Sequence, residues 1–109
     1  MRLAEVLERV PNSVLAAWID SRTGATLEKQ AAAGRSSNTV GLEAVTEIVC
    51  SPDRPRRMVL MSASEVFIAQ RPAPDSHRVL VVVCTRSPNV GLSVVLVGVC
   101  AGEGGGAGA

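Results

Sequence analysis

Apolar residues fall at Leu3, Val6, Leu7 and Val10, the i, i+3, i+4, i+7 spacing of one helical face, with Glu5, Glu8 and Arg9 opposite them. Pro11 ends that helix, because it has no amide hydrogen and its ring clashes with the preceding turn. A short amphipathic helix is therefore predicted at the start of the chain. SVLAAWID follows as a compact apolar run between Pro11-Asn12 and Asp20-Ser21-Arg22-Thr23-Gly24, the pattern of a buried strand that turns at a glycine-containing loop. Its return, ATLEKQAA, is mostly polar and alternates weakly, as suits an edge strand whose charges discourage stray pairing.

After a polar loop beginning at Gly34, Ser37 or Asn38 is placed to cap a second helix carrying Val40, Val45, Ile48 and Val49, with Glu43 and Glu47 in an i, i+4 row. SPDRPRR contains two prolines and reads as an exposed connection. MVLM, VFIAQR and HRVLVVVCT, separated by SASE and PAPDS, then predict a three-stranded meander. The last strand is almost wholly Val and Leu, so it belongs at the centre of the sheet, covered on both faces.

The stretch RVLVVVCTRSPNVGLSVVLVGVC holds two apolar runs. A membrane span needs about twenty uninterrupted apolar residues, and Thr85 to Asn89 breaks this stretch into pieces too short for one. As a helix, the second run loses about 2 to 3 kcal/mol in propensity at its five valines, while burying each returns on the order of 1.5 kcal/mol. Propensity does not decide the matter. Ser87 as N-cap and Pro88 in the first turn do, and they favour a strand followed by a helix. The glycines of GEGGGAGA are costly to order, so residues 1–101 are read as one domain and 102–109 as a flexible tail.

Composition narrows the function. At 109 residues the chain holds one core. Phe67 and Trp18 are its only aromatics, which argues against stacking platforms for single-stranded nucleic acid. A net charge of +1 gives no long-range steering toward nucleic acid or acidic membranes. Locally, residues 51–86 carry Arg54, Arg56, Arg57, Arg71, Arg78 and Arg86 against Asp53, Glu65 and Asp75. They form either a basic face or solvated arginines on turns and edges. Cys50, Cys84 and Cys100 are odd in number and each closes an apolar run, so they read as buried small hydrophobes in a reducing compartment. MRLAEVLERV lacks the continuous apolar region of a secretory signal, and a cytoplasmic location is expected.

No motif for catalysis appears. His77 has no carboxylate nearby in sequence to orient it as a base for Cys84 or Ser87. Asp53, Asp75 and His77 are not at ligand spacing, so neither a metal nor a cofactor is expected. Glu43 and Glu47 read as solvated helix charges. Arg54, Arg56 and Arg57 flank the third strand, where they serve either as carboxylate-binding forks or as a solubilising edge. The third helix is apolar nearly all the way round, interrupted only by Ser93 and glycines, so either a partner covers it or the first helix and the chain ends do.

The order helix, hairpin, helix, three-stranded meander, helix, together with VLAAWIDSRTGATLEK, VFIAQRPAP and HRVLVVVCTRSPNVGLSVVL, resembles the roadblock family, also called the dynein light chain roadblock type. The turn Asp20 to Gly24 and the opening Asn89-Val90-Gly91-Leu92 of the third helix carry most of the likeness, which covers residues 1 to about 101. The resemblance implies an α/β (α+β) profilin-like, three-layer sandwich. Its five-stranded antiparallel sheet has order 2-1-5-4-3, with the first and third helices on one face and the second on the other. It further implies a homodimer through the second helix and third strand, with Val40, Val45, Ile48, Met58 and Leu60 at the contact. Arg54, Arg56 and Arg57 are then candidates for binding a partner. That partner is a Ras-like small GTPase or its signalling complex, and the protein is not an enzyme. The alternative is a structural scaffold subunit with no effect on nucleotide turnover. A small-molecule sensor is disfavoured, because convergent polar groups are missing.

Overall fold

A computed structural model describes residues 2–32, 39–50, 56–73, 75–86 and 89–106. Its elements are α1 (Leu3–Arg9), β1 (Ser13–Asp20), β2 (Thr26–Ala31), α2 (Thr39–Val49), β3 (Arg57–Met61), β4 (Glu65–Gln70), β5 (Arg78–Thr85) and α3 (Val90–Gly106). The strands form one antiparallel sheet in the order β2-β1-β5-β4-β3, the order the family resemblance implies.

β5 shows why the sheet is built this way. Its side chains alternate, so Leu80, Val82 and Cys84 enter a core beneath α1 and α3, while Val79, Val81 and Val83 enter a second core beneath α2. A strand buried on both faces must be apolar at every position, and a central place between β1 and β4 supplies two coats. The two aromatic residues are divided between the layers, Trp18 in the α1/α3 core and Phe67 in the α2 core. β2, at one edge, is exposed along its whole length, in keeping with its polar sequence.

The connections are held by short polar devices. Asn12 takes φ 62°, a left-handed conformation that Asn tolerates. The Ser13 hydroxyl is placed against the carbonyls of Leu7 and Val10 at 2.9 and 2.8 Å, which are left open where α1 ends. A register shift between Ser13 and Leu15 then puts Val14 and Leu15 into the same core, where strict alternation would have parted them. In the β1–β2 turn the Arg22 amide donates to Asp20 Oδ1 at 2.8 Å, and the Gly24 amide to the Asp20 carbonyl at 2.8 Å. Gly24 has φ 78°, open to glycine without strain. The side-chain hydrogen bond from Arg22 holds the Asp20 carboxyl below its ordinary range.

The second run of the valine-rich stretch is a helix, α3. It continues through Gly106, beyond the Ala101 boundary read from the sequence, each added residue gaining one backbone hydrogen bond. The expected caps at Ser37, Asn38 and Ser87, with Pro88, lie outside the described residues. Among the described residues no helix is long and apolar enough to cross a membrane.

Candidate functional site

β3 is the outermost strand at the other edge, hydrogen-bonded within the sheet to β4. Directly paired residues share a face. Met58 and Leu60 oppose Ala69 and Phe67 and pack half-buried on the α2 core. Val59 and Met61 oppose Ile68 and Val66 on the α3 side, where they remain 41 % and 55 % exposed. α3 does not reach across them. Its own outer side chains Leu92, Val95 and Val99 are about half exposed, a concentration of apolar surface larger than scattered single residues would make.

Between α3 and the paired ends of β3 and β4 runs an open groove of about 520 Å³. Arg56, Arg57, Gln70, Arg71 and Pro72 form one wall, Val95, Gly98, Val99 and Gly102 the other. Gln70 organises the polar wall. Its Oε1 accepts from Arg57 Nε at 2.7 Å, and its Nε2 donates to the carbonyls of Arg56 and Arg71 at 3.2 and 3.0 Å. Arg56 Nη2 donates to the Pro72 carbonyl at 3.3 Å. A Cβ at position 98 would come within 3.1 Å of Arg57 Nη2, so glycine there lets the guanidinium lie against the helix. Among the described residues neither Arg56 nor Arg57 pairs with a carboxylate, in contrast to Arg22, which pairs with Asp20 at 3.1 Å on the surface.

Arg71, counted with the other arginines of residues 51–86 as part of a basic face or solvated on a turn, is neither. It has no exposed surface, and its fork donates to Ser21 Oγ at 3.0 Å, to the Ser76 carbonyl and to the Val49 carbonyl at 3.4 Å. Val49 ends α2, so the cation sits at the negative pole of that helix. One side chain thereby joins the β1–β2 turn, the β4–β5 connection and the end of α2. An arginine ahead of a proline carries no mark of burial in a sequence.

The residues tied to dimerisation by the resemblance divide in space. Val45 has no exposed surface, because the apolar stripe of α2 faces the sheet; its role within one chain is packing. Ile48, on the outer side of α2, is 41 % exposed, and Met58 and Leu60 are half-buried. The side chain of Val40 and all of Arg54 lie outside the described residues. Val59 and Met61, the exposed apolar members of β3, were missed, since RMVLM is apolar at every position after Arg57 and periodicity alone does not say which alternate pair faces outward.

The remaining candidates stand apart from one another. His77 stands just before β5 and Cys84 is its next-to-last residue, about 23 Å apart at the rise of an extended strand. Burial pushes the Cys84 thiol up to about 11, leaving it protonated and unreactive near neutrality. Glu43 and Glu47 are both exposed on α2. Among the described residues no group of three or more His, Cys, Asp or Glu side chains is placed to hold a metal ion.

No protein-family model matches the sequence, and a search of curated proteins finds no relative. Solved structures do match. Two structures of MglB, one with a tetrameric arrangement and one from Thermus thermophilus, are each 20 % identical, with TM-scores of 0.70 and 0.69. They match 94 % and 93 % of this chain and 80 % of theirs. A Roadblock/LC7 domain from Streptomyces avermitilis is 11 % identical over 93 % of this chain and 89 % of its own, with a TM-score of 0.65. MglC from Myxococcus xanthus is 13 % identical over 93 % of this chain and 91 % of its own, with a TM-score of 0.63. Strand order, the division of helices between the two faces and these likenesses agree, and the chain has the profilin-like α/β fold of the Roadblock/LC7 domain.

Proposed function

We propose that the protein is a non-enzymatic, homodimeric regulatory or adaptor protein of the cytoplasm that binds a Ras-like small GTPase or its signalling complex. The observation that carries this reading is the outer edge of β3, a strand at the sheet margin with exposed Val59 and Met61 beside it. An edge of this kind is a template for pairing with another chain. Self-association runs along β3 and the outer side of α2, with Val40, Ile48, Met58 and Leu60 at or beside the contact and Val45 supporting them from beneath. Arg56 and Arg57 stand at the start of that edge, and with Arg54 they are the candidate forks for partner carboxylates. The likeness in fold to MglB, which occurs in a tetrameric arrangement, and to MglC supports a binding role. Regulation follows if the dimer binds one nucleotide state of the GTPase better than the other, since only differential affinity shifts an equilibrium.

Sedimentation at micromolar concentration is expected to show a dimer, and a monomer there overturns the homodimer. Mixing with a Ras-like GTPase loaded with GDP or with a GTP analogue is expected to give complex in one state preferentially. The exposed ridge of Leu92, Val95 and Val99 favours a second reading, a scaffold subunit of a larger assembly. Nucleotide-blind binding with a defined higher assembly selects that reading instead.

A further inference from the structure

We infer that the groove between α3 and the β3–β4 ends docks an acidic amphipathic segment of a protein partner. This surface lies on the opposite face of the sheet from α2; the inference rests on the proposed role of Arg56 and Arg57 in binding a partner and deepens it by naming the groove and the chemistry of the segment it takes, while the α2 contact of the proposed dimer is not part of it. Arg56 and Arg57 are oriented by neutral acceptors, the Pro72 carbonyl and Gln70 Oε1, and no carboxylate among the described residues neutralises them. A guanidinium held in place but not neutralised loses little further freedom when it takes a carboxylate. Facing them, Val95 and Val99 stand one helical turn apart, 58 % and 49 % exposed. Gly98 and Gly102 thin the same wall. A Cβ added at Gly102 would meet nothing within 4 Å, so a partner backbone has room to approach.

Charge complementarity chooses the occupant. A second copy of this chain would bring the same arginines to the rim, and like charges facing each other oppose pairing. A small anion would leave the valine ridge in water. A helix with leucines on one face and flanking glutamates satisfies both walls at once, the helix-in-groove mode of recognition.

The test is fluorescence anisotropy of the full chain with a labelled synthetic helix of about 18 residues, roughly five turns, carrying leucines flanked by glutamates, and with its lysine counterpart. The acidic probe is expected to bind at micromolar Kd, about tenfold or more tighter than the basic one, and to weaken with added salt. Arg56→Glu and Val95→Asp, both at exposed positions, are each expected to weaken it about tenfold or more, with unchanged circular dichroism. Leu27→Asp, on the exposed β2 edge, is expected to leave it unchanged. Equal binding of both probes, no binding of the acidic one, or indifference to Arg56→Glu and Val95→Asp overturns the inference. So does a drop in oligomeric state caused by Val95→Asp, which assigns the groove to a second copy, or displacement of the probe by anionic vesicles, which assigns it to a lipid surface.

Discussion

Arg71 and Ser21, fifty residues apart in sequence, meet at 3.0 Å where the Arg71 Nη1 donates to the half-buried Ser21 hydroxyl. The same guanidinium reaches the Ser76 and Val49 carbonyls, so it closes one end of the molecule around α2. Arg71→Met keeps much of the volume but removes the donor from the buried Val49 carbonyl and from the half-buried Ser21 and Ser76 acceptors. The expected loss is about 2 to 4 kcal/mol, read as a fall in urea midpoint. Arg71→Lys is expected to rescue little of it, because a single ammonium does not reproduce a planar fork.

Cys84 ties stability to alkaline pH. Its thiol titrates near 9 in an unfolded chain and is raised to about 11 by burial. Between those values the unfolded state has released its proton and the folded state has kept it, so rising pH favours unfolding. The stabilisation is complete below about pH 9 and is lost as pH climbs toward 11. Thermal midpoints are expected to fall over that window, and Cys84→Val to fall less steeply over the same window.

Val45 and Val59 separate folding from association. Val45 has no exposed surface, so Val45→Asp buries an unpaired carboxylate and is expected to cost the single chain several kcal/mol. Val59 is 41 % exposed, so Val59→Asp is expected to stay within about 0.5 kcal/mol of the parent in monomer stability. Under the proposed pairing through β3 the second change nevertheless lowers dimer content. Circular dichroism melts and sedimentation on the same samples check both; a Val59→Asp protein that melts as the parent does and remains fully dimeric rules out that edge.

Two glycines respond to alanine in opposite directions. At Gly24 the added methyl has ordinary space, 3.6 Å from Thr46 Cγ2 and 3.8 Å from Cys50 Sγ, so the cost is the left-handed backbone alone, about 1 to 2 kcal/mol. At Gly102, inside α3 with nothing within 4 Å, alanine is expected to gain about 0.5 to 1 kcal/mol. Thermal midpoints of the two variants measure the contrast.

Much of the architecture was legible along the chain. Leu3, Val6, Leu7 and Val10 marked α1, SVLAAWID coincided with β1, the polarity of TLEKQA marked an edge, and the unbroken valines of β5 marked the centre. The candidate site was legible only in part. Arg56 and Arg57 stood out as charges near a strand, but the groove they line needs α3 laid beside β4, with Gly98 against Arg57 and Gln70, at the end of β4, accepting from Arg57.

Periodicity, breakers and turn chemistry are local properties. Their free energies depend on neighbours a few residues away, so the order and kind of elements could be read from residues alone. Which alternate pair of RMVLM turns outward, where the Arg71 fork ends and which side of α3 stays bare are settled by packing between distant segments. A strand has two equivalent faces until helices cover them, and a buried cation is recognisable only once its acceptors, brought from Ser21, Val49 and Ser76, surround it.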